Sequence, residues 1–64
     1  MPEEEYLIDA SGGPYYQTGE RIKKGEVLGN DENGDPVVSC LNGVVKRICF
    51  DGVNHSFNVK VEEG

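Results

Sequence analysis

Several things are scarce in this 64-residue chain, and each scarcity removes a class of protein. No apolar run approaches the roughly 20 residues needed to span a bilayer as a helix, so no membrane insertion is expected. Uninterrupted chain is scarce too. Nine glycines and three prolines break the sequence so often that its longest piece free of both is Val53 to Glu63, and no amphipathic helix of useful length fits between the breaks. Basic residues number six against twelve acidic ones, a formal charge of −6, and the only basic clusters are the pairs Lys23-Lys24 and Lys46-Arg47. A nucleic-acid backbone is therefore not the expected partner, and the surplus acid is read first as a source of solubility. The opening Met1-Pro2-Glu3-Glu4-Glu5 lacks the positive charge and apolar stretch of a secretory leader, and a cytoplasmic location is expected. The two cysteines, Cys40 and Cys49, make neither a disulfide framework nor a metal quartet, and their spacing matches no Cys-x-x-Cys motif. Their apolar neighbours lead to the expectation of buried, reduced thiols.

What remains is a chain of short extended pieces. A domain of this length buries only about 60% of the surface its unfolded chain exposes, so the core must be thin. The longest unbroken piece alternates, with Phe57, Val59 and Val61 on one side and Asn58, Lys60 and Glu62 on the other, the pattern of a half-buried strand. Tyr6, Ile8 and Ala10 predict a first strand with Leu7 facing the other way, after a frayed polar lead over 1–5. Val37 to Cys40 and Val44 to Phe50 predict inner strands, the former starting at Pro36 because proline cannot occupy a central ladder position. Turn signals at Gly12-Gly13-Pro14, Asn33-Gly34, Asn42-Gly43 and Asp51-Gly52 separate these pieces. Gly25 follows two lysines where a tight turn needs a residue tolerant of positive φ, with Gly19 and Gly29 punctuating either side and Ile22 and Leu28 pointing inward. The expected architecture is one small all-β domain over 1–64, a barrel or sandwich without significant helix.

Chemistry-bearing residues are few. Asp31, Asn33 and Asp35 have the alternate spacing of a calcium loop, but Pro36 stands where glycine should follow and no glutamate closes the shell, which leaves a solvated hairpin tip as the expectation and no metal. His55 is the sole histidine. Its neighbour Ser56 points to the opposite face of a strand, while an approach of Cys40 or Cys49 to the imidazole stays open. No catalytic residue and no cofactor is assigned on this basis, and a non-enzymatic chain is expected. If Tyr15 and Tyr16 lie in an extended segment, one covers the core and the other faces outward as a contact residue. Together with Asp31, Glu32 and Asp35 of the acidic tip, Tyr15 and Tyr16 are the candidate partner-binding residues.

The run Gly-x-x-Ile-x-x-Gly-x-x-Leu from Gly19 to Leu28, then a hairpin, then Asn-Gly-x-Val from Asn42 to Val45, resembles the barrel-sandwich hybrid fold of biotinyl and lipoyl domains. The likeness covers residues 14–62. Within that group, Pro14 through Val45 is similar to the N-terminal sandwich domain of the C subunit of Rnf electron-transport complexes. In modified members a lysine occupies the tip of a tight hairpin. Here the segment from Leu28 to Gly43 holds no lysine, and the second glycine-rich copy that completes the carrier sandwich is missing. The resemblance thus implies an abbreviated, lysine-free relative that docks on a protein partner or a parent assembly. The alternative is a biotin or lipoate carrier modified at an unusual lysine.

Overall fold

Alternation in the last third of the chain sets the longest strands. The computed structural model describes residues 2–64. Its strands are β1 (Glu3–Asp9), β2 (Arg21–Ile22), β3 (Val27–Asn30), β4 (Pro36–Val38), β5 (Gly43–Asp51) and β6 (Ser56–Glu63). Among the described residues there is no helix, and strand accounts for 52% of the chain. All neighbours are antiparallel. Four strands form a curled half-barrel in the order β1-β6-β5-β2, and β3 and β4 form a separate two-stranded ribbon that packs across β1.

The core is as thin as the chain length requires. Ile8, Ile22, Leu28, Val45, Val59 and Val61 form it, with Tyr6, Tyr16, Val37, Leu41, Ile48 and Phe57 packed around them. Each fully buried aliphatic side chain contributes about 1.5–3 kcal/mol, so a handful of residues holds the two sheets together. Period-2 alternation puts Val59 and Val61 inside while Asn58, Lys60 and Glu62 stay partly exposed, and it sends Ile8 into the core while Leu7 remains 61% exposed. One polar side chain, Ser39, is buried in the core with its needs met. Its Oγ donates to the Leu41 carbonyl at 2.7 Å, and its backbone bonds both Glu26 and Gly25.

The turn that joins β2 to β3 is built as its sequence requires. Gly25 has φ 91°, its N–H donates to the Ser39 carbonyl at 2.8 Å, and the Glu26 carboxylate reaches back to the Lys23 N–H at 2.8 Å. Gly29 does not punctuate this segment; it lies inside β3.

Three further expectations change. The lead is not frayed: Glu3, Glu4 and Glu5 are the first residues of β1 and pair with Glu62, Val61 and Lys60, and an ion pair from Lys60 to Glu3 at 3.3 Å ties down the start of the strand. Met1 lies outside the described residues. The strand that starts at Pro36 ends at Val38, because Ser39 and Cys40 turn away to bond Glu26 and Tyr6. Both cysteines are exposed, free thiols. Cys49 lies among apolar neighbours in sequence, but Ile48 and Phe50 occupy the opposite face of β5, so the alternation that turns Ile48 toward the core turns Cys49 outward. Cys40 sits in the β4–β5 connection, its N–H donating to the Tyr6 hydroxyl at 2.8 Å.

Candidate functional site

A cleft of about 320 Å³ opens where the end of β1, the start of β6 and the β3–β4 hairpin meet, over the buried Ile8. Leu7, Asp9, Asp31, Glu32, Asn54 and Ser56 line it. Register explains the meeting, since Asp9, the last residue of β1, pairs with Ser56, the first of β6. The β5–β6 turn brings Asn54 from one side, and the hairpin brings Asp31 and Glu32 from the other. Among the described residues no lysine, arginine or histidine lines the cleft.

Each carboxylate is held differently. Asp9 accepts hydrogen bonds from the hydroxyl and the backbone N–H of Ser11, which hold its carboxyl below the ordinary aspartate value of 3.8 and keep it anionic at neutral pH. Asp31 Oδ1 accepts the N–H groups of Asn33 and Asp35, both at 2.9 Å, so it stiffens its own hairpin while Oδ2 is left outside this turn network. Glu32, at the exposed tip, takes no part in these bonds. Beneath the carboxylates lies Ser56, only 8% exposed, whose buried Oγ has no hydrogen-bond partner among the described residues. A buried hydroxyl left unpaired costs about 1–3 kcal/mol, so a donor brought within reach of this group would be favoured.

The other candidates separate. Asp35 belongs to the hairpin but does not line the cleft. Its backbone serves Asp31, donating its N–H to Oδ1 and accepting the Asp31 N–H at 2.9 Å. Tyr15 is the outward tyrosine, 58% exposed, with its hydroxyl accepting from Asn30 Nδ2 at 3.4 Å beside the cleft residue Asp31. Tyr16 covers the core, and burial, followed by the nearby Glu26, pushes its phenol above the ordinary 10.0. No hydrogen bond joins His55 to either thiol among the described residues; its ring instead meets Phe50 edge-on at 6.5 Å. Asp9, Asn54 and Ser56 escaped sequence reasoning. They come together only through the β1–β6 register and the β5–β6 turn, and the one local hint was the polar end of the first alternating strand.

No family model, curated protein or solved structure matches the chain. Its chemistry has to be read from its own side chains. Among the described residues no three His, Cys, Asp or Glu groups converge closely enough to hold a metal ion. Asp9, Asp31 and Glu32 instead surround a space large enough for an organic cation. At the opposite end of β6 a second hollow, of about 310 Å³, is lined by Arg21, Lys23 and Glu26 and carries mixed charge.

Proposed function

We propose that this chain is a non-enzymatic β module for protein docking, a biotinyl/lipoyl-like sandwich without the attachment lysine, whose acidic cleft receives a lysine or arginine side chain of its partner. The observation that carries this reading is the combination in one cleft of three carboxylates, no lysine or arginine among the described lining residues, and the unpartnered Ser56 hydroxyl. A guanidinium or ammonium group supplies what the cleft lacks, both the charge for Asp9, Asp31 and Glu32 and the donor for Ser56 Oγ. Tyr15, beside Asn30, offers aromatic surface for the rest of such a partner. The β3–β4 tip, which in carriers presents the modified amine, here presents carboxylates. That favours a docking role over a swinging arm. A carrier role would need Lys23, Lys24, Lys46 or Lys60, and Lys46 and Lys60 already pair with Glu62 and Glu3.

Titration with a short lysine- and arginine-containing peptide, followed by amide chemical shifts, tests the reading. Shifts should concentrate at Asp9, Asp31, Glu32 and Ser56. Glu32→Lys should abolish them with the fold intact, while Asp35→Asn, outside the cleft, should leave them. An unresponsive cleft, or shifts indifferent to Glu32→Lys, would sink the proposal.

A further inference from the structure

Main-chain hydrogen bonds locate an open edge on β5. Glu63 N–H donates to the Pro2 carbonyl, and the His55 carbonyl accepts from Ala10 N–H, both at 3.0 Å, so both residues turn their backbones toward β1. Antiparallel alternation along β6 then aims residues 57, 59 and 61 at β1, and residues 56, 58, 60 and 62 at β5. With the register Asp51 to Ser56, Cys49 to Asn58 and Arg47 to Lys60, it is Ile48 and Phe50 that direct their N–H and C=O groups away from β6. On that side Val45 is occupied, donating to the Glu20 carbonyl at 2.9 Å and accepting from Gly19 N–H at 2.8 Å. There β2 pairs only with Gly43 and Val44. Among the described residues nothing bonds the four groups of Ile48 and Phe50.

Side chains along this edge are equally unspent. Phe50 is 58% exposed although it belongs to the inward-facing row, and Val53 beyond it is 94% exposed. Arg47 makes no ion pair among the described residues. Asp51 accepts bonds from Val53 and Asn54 but meets no cation among the described residues.

We propose that a second copy of this chain fills the edge, β5 against β5, antiparallel about a two-fold axis at Cys49. Isologous pairing requires that residues directly opposite one another lie on the same face and that Ile48 and Phe50 use their outward backbone groups. Centring on Cys49 meets both conditions. Ile48 then stands opposite Phe50 of the second copy, exchanging hydrogen bonds twice over by symmetry, and the two apolar pairs extend the inner face. Arg47 stands opposite Asp51 of the second copy, giving two ion pairs on the outer face. Centring on Ile48 would set Phe50 against Lys46, and centring on Phe50 would set Ile48 against Gly52, so neither alternative matches apolar to apolar and charge to charge. Repulsion between two copies of charge −6 is weakest here, where the basic pair Lys46-Arg47 lies. The edge faces away from β6 and β1, where the acidic cleft opens, and this dimer does not depend on the cleft's function.

Sedimentation of the full chain from micromolar to millimolar concentration should show conversion from the 7.0 kDa monomer to twice that mass. Arg47→Asp should weaken the dimer at least about tenfold by turning both ion pairs repulsive, with the circular dichroism of the monomer unchanged. The axis is tested with diamide, which takes two electrons and two protons from a pair of thiols as the S–S bond forms. Cys40→Ala should cross-link as fully as the natural chain, and Cys49→Ala should not cross-link, although both cysteines are exposed. A chain that stays monomeric at millimolar concentration overturns the dimer. Cross-linking through Cys40, or indifference to Arg47→Asp, overturns this register.

Discussion

The two halves of β5 belong to one strand, joined at a register shift between Val45 and Arg47, yet they have opposite fates. Gly43 to Val45 are flanked on both sides, by β6 and by β2 with its preceding loop, and Val45 is completely buried. Among the described residues Arg47 to Asp51 are flanked by β6 alone, and Phe50 of this half stays largely exposed. The difference does not come from hydrophobicity, since Ile48 and Phe50 are at least as apolar as Val44 and Val45. It comes from the length of the neighbour. β2 is two residues long because the Gln17–Glu20 turn closes just before it and the Lys23–Glu26 turn just after it, so the far half of β5 has no partner to lie against. Whether an apolar residue becomes core or contact surface is thus decided here by where turns stop a neighbouring strand.

The sharpest way to break the doubly flanked half is Gly43→Ala. A Cβ there would run into the backbone carbonyl of Glu62, and no rotamer change relieves a clash with backbone. We expect a loss of about 3 kcal/mol or more in urea denaturation, a large share of the stability of so small a domain. Val45→Ala should cost about 2–3 kcal/mol, from two lost methyl groups and the cavity they leave. In the singly flanked half, Phe50→Ala should cost only about 1 kcal/mol, chiefly its contact with Phe57 at a centroid distance of 5.2 Å. Equal losses at positions 45 and 50 would mean that the open half is packed as tightly as the closed one.

Much of this comparison was legible beforehand. Alternation of Val59 and Val61 with Asn58 and Lys60 gave the face of β6, the proline at 36 gave the start of β4, and the glycine after two lysines gave a turn of positive φ. All three are local signals, set by the period of a strand or the φ of one residue. The exposure of Cys49 runs against its apolar neighbours in sequence because a strand sends adjacent residues to opposite faces. The cleft was half legible. Asp31 and Glu32 announced an acidic tip, but Asp9 and Ser56 join it through a pairing 47 positions apart that no local pattern encodes.

Acid should separate the two halves more gently than substitution does. Asp51, at the open end of β5, accepts from Asn54 Nδ2 at 2.8 Å and from the N–H groups of Asn54 and Val53, bonds that hold its carboxyl below the ordinary 3.8. A carboxyl whose folded pKa is depressed stabilises the fold above its unfolded value and loses that contribution as pH falls through the folded one. Below about pH 4, protonation should therefore loosen the β5–β6 turn, with Asp9, which pairs with Ser56, adding to the same slope through Ser11. The Gly43–Val45 half contains no titratable side chain. Amide exchange measured between about pH 5 and pH 2 should accordingly show the amides of residues 52–56 losing protection before those of Val45 and Val61. Asp51→Asn should remove part of this pH dependence at the turn while leaving the protection of the closed half unchanged. Simultaneous loss at both ends would show that β5 opens as one unit, and that the contrast between its halves is one of contacts and not of local stability.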